Sequence, residues 1–261
     1  MIPRIQLFEF EDLKKCPEIL RNYLTDFLEH IAVRFRFYDD LIPVLIKTLH
    51  HYEPLHLVDI GSGGGGGMFA IYQALHPRFD SLKITLTDLY PNIDAFEKQQ
   101  RRSNGAIHFE ADSVNATNVP KRLSGFRTLF RSFHHFDPQL GKAVLQDAID
   151  KKQPIGIFEI QERSLSFLLF FAIISPLLVI LMTPFIKPFS IKRLFFTYFL
   201  PVVPFIVLWD GTITVLRTYT PEELRIMVRE LENSDDFHWE IGKVGAGVKM
   251  VSFLIGKPNT A

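Results

Sequence analysis

The sequence is poor in cysteine, in net charge and in anything resembling a leader. Its one cysteine, Cys16, cannot close an internal disulfide, so the fold has to hold without one. Lysine plus arginine equals aspartate plus glutamate at 29 each, and basic clusters are as brief as "QQRRS". That leaves no electrostatic footprint for nucleic acid, and no nucleic-acid partner is expected. Glu9, Glu11 and Asp12 sit where a secretory signal needs an unbroken apolar run, which with the lone cysteine predicts a reducing, cytoplasmic setting. There is no internal repeat, and no group of His, Cys, Asp or Glu has metal-ligand spacing, so no metal is expected. The sharpest deficit is local. Ser164 to Trp209 contains only three charged residues, Lys187, Lys192 and Arg193, all within "KPFSIKR".

What is present fits one large domain carrying an insert: 261 residues, 47% of them hydrophobic. Leu20, Tyr23, Leu24, Phe27, Leu28 and Ile31 recur at helical spacing over Pro17 to Phe35, and a second helix is predicted from about Asp40 to Leu49. From there short apolar runs alternate with helical stretches, the pattern of a parallel sheet with helices on both faces. Seven strands are predicted, at 56–61, 83–89, 106–112, 126–132, 154–160, 237–244 and 249–256. Helices are predicted near Gly66–Leu75, Ile93–Arg102, Pro138–Lys151 and Pro221–Leu231, the last with Thr220 as N-cap.

"LVDIGSGGGGGM" places Gly61, Gly63 and Gly65 two apart between a buried strand and a helix. Glycine is needed where a chain turns sharply and a ligand must approach backbone with no Cβ in the way. Five consecutive glycines satisfy almost any glycine motif, so the acids around the run carry the discrimination. Asp88 ends the second predicted strand, within reach of both hydroxyls of a ribose, and Asp112 ends the third. With "DIGSGGG", "LTDL", "EADS" and "LFRSFHHFDP" in this order, Leu55 to Gly256 resembles the class I S-adenosylmethionine-dependent methyltransferases. The resemblance implies S-adenosyl-L-methionine as cofactor. It implies that Asp59, with Gly61, Ser62, Gly63 and Gly65, holds the loop and the methionine amino end, that Asp88 and Leu89 meet the ribose, and that Asp112 and Ser113 lie beside the adenine, with Ser132 on the facing strand end. It also implies a doubly wound, Rossmann-like α/β fold whose seven-stranded sheet ends in an antiparallel hairpin. A nicotinamide-dependent oxidoreductase is the alternative for this half, disfavoured because dinucleotide folds end in parallel strands and use a phosphate-binding turn.

The reaction is read from the site. "SFHHFDP" puts His134 and His135 at the carboxyl end of the fourth strand, where ligands of open α/β sheets bind. An imidazole there is a candidate base for a phenol, enol or carbon acid, and since the two are sequential only one is expected to face the pocket. Glu159, at the tip of the fifth strand, is a second candidate, with a loop ion pair beside "QER" as its alternative. Asp210 reads as a turn residue with Gly211, and Tyr219 as packing.

The apolar stretch falls after the fifth strand, on the substrate side of the cleft in the resembled family. Leu165 to Ile186 is 22 uncharged residues, 15 of them Leu, Ile, Phe or Val, each worth roughly −0.3 to −0.6 kcal/mol toward bilayer insertion. The return arm, Leu194 to Leu208, is 15 residues broken by Pro201 and Pro204, too short for a second crossing. Both flanks belong to one sheet, so crossings must be even in number, and the positive-inside bias favours none. The expectation is a monotopic hairpin on the cytoplasmic membrane face, with a soluble lid or an oligomer interface as the alternative. The division expected is an amino-terminal helical cap at 1–53, a methyltransferase domain at 54–163 and 210–261, and an insert at 164–209. The expected activity is methyl transfer to a lipid-like or apolar small molecule; the alternative is a non-catalytic cofactor-fold protein that binds a membrane or partner.

Overall fold

The computed structural model describes residues 2–13 and 15–259. The chain forms two compact units, Phe37–Ile160 with Tyr219–Ala261 and Met1–Arg36 with Gln161–Thr218.

The larger unit is a seven-stranded sheet made of β1 (His56–Ile60), β2 (Lys83–Thr87), β3 (Ile107–Phe109), β4 (Phe126–Phe130), β5 (Ile155–Glu159), β6 (Phe237–Val244) and β7 (Val251–Pro258), in the order β3-β2-β1-β4-β5-β7-β6. The first five strands run parallel and β7 is antiparallel to both β5 and β6. All seven predicted strands form, including the final hairpin. The order reverses between β1 and β4, which opens a crevice at the carboxyl ends of these two strands.

Local chemistry places the helices of this unit. Asn92 caps α4 (Ile93–Arg102) by accepting the Ala95 N–H, and Asp137 caps α5 (Pro138–Asp150) through the N–H groups of Gln139 and Leu140. Thr220 and Glu223 form a reciprocal capping box at the start of α9 (Pro221–Arg229), with Pro221 at the first helical position. Helices α2 (Ile42–Leu49) and α3 (Gly66–Leu75) complete the layers. Val58, Ile60, Leu129, Ile155 and Ile157 form the core with Val144 and Leu145 of α5 and Leu224 and Val228 of α9. Arg127 and Asp147 tie β4 to α5 by a buried ion pair at 2.8 Å.

The smaller unit contains α1 (Glu18–Arg34), α6 (Leu165–Met182), a short helix α7 (Ile191–Leu194) that continues as a π-helical turn through Phe199, and α8 (Val202–Arg217). The boundaries differ from the three-part division expected from sequence: residues 37–53 lie with the sheet, and the amino-terminal helix shares a unit with the apolar insert. The reason is a set of polar ties that no local pattern announces. Arg193, one of the three charges of the insert, is 2% exposed; it pairs with Asp26 of α1 at 3.4 Å and lies over the Tyr23 ring. Asp210 is not in a turn. It lies within α8, where its carboxylate accepts the N–H groups of Phe10 and Glu11. Arg217, at the end of α8, reaches Glu9 at 3.0 Å and Asp12 at 2.7 Å. The return arm is also longer than expected, since Pro201 and Pro204 fall at the start of α8, where proline is tolerated, and the helix runs on to Arg217. Gly211 lets α6 approach closely: a Cβ there would lie 1.9 Å from Phe171 Cε1.

Candidate functional site

The site sits at the carboxyl edge of the larger unit. Register places Asp59 of β1 opposite Leu86 of β2 and Thr128 of β4. Its carboxylate accepts the Thr128 hydroxyl at 2.8 Å, and its carbonyl accepts the hydroxyls of Thr87 at 2.8 Å and Ser62 at 3.1 Å. Burial pushes the Asp59 carboxyl up to about 7; hydrogen bonds from Ser62 and Thr128 oppose this, and the Asp88 charge adds to it.

Gly61, Gly63 and Gly65 all adopt left-handed φ, from +55° to +67°. A Cβ at Gly65 would meet Leu86 Cδ1 at 2.6 Å, whereas one at Gly63 would meet nothing within 4 Å. The turn is therefore wedged against β2 at one end and open at its middle. The Gly63 N–H donates to Asp88 Oδ2 at 2.9 Å, and the Tyr90 N–H donates to Oδ1 at 2.8 Å. Asp88 follows the last residue of β2, so two backbone donors aim its carboxylate across the mouth of the glycine turn. Leu89 is exposed beside it, and its carbonyl accepts the Ser113 hydroxyl at 2.7 Å. Asp112 does not end a strand: β3 stops at Phe109 and Asp112 is exposed in the loop that follows. Ser132 closes the other side of the crevice, donating to the Ile60 carbonyl at 3.2 Å, next to the place a Gly61 Cβ would occupy.

His134 and His135 form a 3₁₀ turn after β4, which brings their rings side by side, centroids 4.3 Å apart, instead of sending them opposite ways as a strand would. His134 is buried, and its Nδ1 lies 3.0 Å from Glu159 Oε2 while its backbone N–H donates to Oε1 at 3.0 Å. Glu159 is thus bound to His134, across adjacent strand ends. Burial alone would raise the Glu159 carboxyl, but the charge of His134 and its two kinds of hydrogen bond, with the charge of His135, outweigh it and hold the carboxyl below its ordinary value. Tyr219 packs on Phe133 and donates to the Phe136 carbonyl at 2.8 Å, a packing role as expected.

Sequence reasoning missed Thr87 and Thr128, whose hydroxyls fix Asp59, and the pair Tyr38 and Arg131. Arg131 directly follows β4 with φ +55°, a strained conformation for a side-chain-bearing residue, and it hydrogen-bonds the buried Tyr38 phenol. That phenol fills the space a Cβ of Gly67 would take, 2.7 Å away. Only the threonines had a readable signal, as polar residues inside otherwise apolar strands.

No protein-family profile matches the chain, and no curated protein matches it by sequence. Solved structures do match. The pyocyanin biosynthetic protein PhzM superposes with a TM-score of 0.54 at 16% identity, over 96% of this chain and 62% of PhzM. PigF, solved with SAH, gives 0.53 at 16% identity, over 97% of this chain and 63% of PigF. The plantazolicin methyltransferase BpumL, in complex with SAH, gives 0.53 at 11% identity, over 96% of this chain and 93% of BpumL. The chain therefore spans less than two thirds of the length of PhzM and PigF. Likeness at this identity speaks to the fold, and with the strand order and the antiparallel β7 it shows that this chain has the Rossmann-like fold of the class I S-adenosylmethionine-dependent methyltransferases.

Proposed function

We propose that the protein is an S-adenosylmethionine-dependent methyltransferase acting on an apolar or lipid-like small molecule with an acidic O–H or C–H group, at the cytoplasmic face of a membrane. The observation that carries this is the left-handed glycine turn held between Asp59 and Asp88, open at Gly63 where a ligand would lie against backbone. Its donor set suits the cofactor. Asp88, aimed by two N–H groups, is an acceptor for ribose hydroxyls beside Leu89, and a carboxylate offers about four lone-pair sites in all. Asp59 offers a buried carboxylate to a cationic amino group, and the exposed Asp112 and Ser113 are the candidates to meet the base. PigF and BpumL, with the same fold, were solved with SAH.

When bound, the cofactor supplies an electrophilic methyl group open to in-line displacement, a reaction governed chiefly by alignment. The chain supplies the base. Glu159 stays ionised and accepts the Nδ1 proton of His134, which leaves Nε2 as the acceptor for the substrate proton. His134 Nε2 would take the proton of the substrate O–H or C–H group and leave its electron pair on the substrate oxygen or carbon, which the methyl group of a bound cofactor would meet as its sulfur departs with the S–C pair. Ser164–Trp209 of the smaller unit is the apolar element of the reading, holding the protein where apolar substrates concentrate.

The test is calorimetric titration of the full-length protein with S-adenosylmethionine and with NAD, followed by labelled methyl transfer to a lipid extract. Binding of the first and label in an apolar product are expected. Binding of NAD alone would overturn the reading.

A further inference from the structure

One part of the smaller unit answers to the membrane more specifically than its overall greasiness does. Helix α7 and its π-helical continuation, Ile191–Phe199, are bent 76° from α8. This cross-piece is two-faced. Inward, Arg193 is consumed by Asp26 and the Pro188 carbonyl, and Thr197 lies within hydrogen-bonding distance of Thr183. Outward, Ile191 is 75% exposed and Phe199 81%, with Phe195 and Tyr198 exposed between them and the Phe195 and Phe199 rings stacked at 5.2 Å. The spacing 191, 195, 198, 199 is one helix face. Phe185, which ends a 3₁₀ turn, and Phe189, in the segment leading into α7, add two further exposed aromatics at 67% and 64%. Burial at such positions normally drives folding, so aromatic and branched side chains this exposed need an occupant.

We infer that this cross-piece is the docking element, lying in the interface of an anionic lipid leaflet with its aromatic face in the acyl boundary. The inference rests on the proposed work at a membrane surface and names the surface that does it. Charge decides between occupants. Lys187 and Lys192 are exposed beside the aromatic face, and from Ser164 to Trp209 there is no aspartate or glutamate at all. A second copy would bring lysine to lysine with no acid to answer it, whereas anionic headgroups complement both while the apolar face enters between acyl chains. A flat cross-piece at the tip of the hairpin is the geometry of a helix that lies in the interface and does not span it.

Co-flotation of the full-length protein tests this, using vesicles of phosphatidylcholine alone or mixed with phosphatidylglycerol. Binding to both and a preference for the mixed vesicles are expected. Phe189→Ser with Phe199→Ser should weaken partitioning at least about tenfold on either vesicle, the size expected for losing apolar burial. Lys187→Gln with Lys192→Gln should abolish the preference for mixed vesicles and leave binding to neutral ones. These lysines are exposed, so the second variant tests the idea even if the first misfolds. Unchanged partitioning of a folded aromatic variant, or a wild-type dimer that ignores vesicles, would overturn it. Calorimetry with S-adenosylmethionine on the same samples separates the two readings: failure to bind the cofactor sinks the enzyme while docking can stand, and failure to float does the reverse.

Discussion

Asp59 retains a proton that an unfolded aspartate would release. Its carboxyl is raised from 3.8 to about 7, so the stability it contributes is fully present below 3.8 and is lost as pH rises to about 7. A cationic amino group bound beside it favours the ionised form, so cofactor affinity should rise between about pH 6 and about pH 8. Calorimetry across that range checks this, and Asp59→Asn should flatten the dependence. Asp88→Ala removes a charged acceptor and should weaken cofactor binding by about 1.5–3 kcal/mol per lost hydrogen bond; unchanged affinity in a folded variant would remove Asp88 from the ribose. His134→Ala should lower turnover by about 10²–10⁴ with cofactor affinity nearly intact. Glu159→Gln should act through His134, shifting the pH profile of turnover, while His135→Ala should cost less, because Glu159 bonds His134.

At the scale of elements, close approach takes over from charge. In α6 and α8 contact depends on Gly211 facing Phe171, so Gly211→Ala should destabilise the smaller unit by about 1–3 kcal/mol through overpacking. Adding Phe171→Leu should recover part of that loss, a non-additivity readable by urea denaturation of the single and double variants. Secondary structure was legible here where local chemistry decides. Thr220 and Glu223 announce a capping box, and Ile93–Arg102 and Gly66–Leu75 start and stop where predicted. Legibility failed where a partner decides. Nothing around Asp210 says that its acceptors meet Phe10 and Glu11, so "WDG" read as a turn although the helix runs straight through it.

For the molecule as a whole, the proposed function divides between the two units, with the cofactor at the sheet edge of one and the leaflet at the apolar hairpin of the other. Among the described residues one helix, Leu165–Phe185, is long and apolar enough to cross a membrane, and the return, Ile191–Phe199 with Val202–Arg217, is bent by 76° at its break. On the interfacial reading, the protein should remain with membranes at high salt, because apolar burial dominates over screened charge, and should leave in detergent. A cysteine at Phe189 in a Cys16→Ser background should stay unlabelled by an impermeant thiol reagent outside intact cells. Phe189 is the better probe than Ser190, whose hydroxyl lies 3.2 Å from the Tyr23 hydroxyl and caps α7. Labelling would instead establish a hairpin of two spans.

The sheet, its final hairpin, the glycine turn and the greasy insert were legible before any coordinates, because each follows from periodicity or from residues adjacent in the chain. The sequence named the acids at the strand tips but not what holds them. Only the tertiary structure paired Glu159 with His134, set Thr128 against Asp59 and put Arg131 in left-handed backbone on Tyr38. Only the tertiary structure, too, withdrew Arg193 from the cationic turn and left two lysines beside an aromatic face. These are contacts between residues far apart in the chain, fixed by strand order and helix approach, and no local pattern of polar and apolar residues encodes which distant partner a buried charge will find.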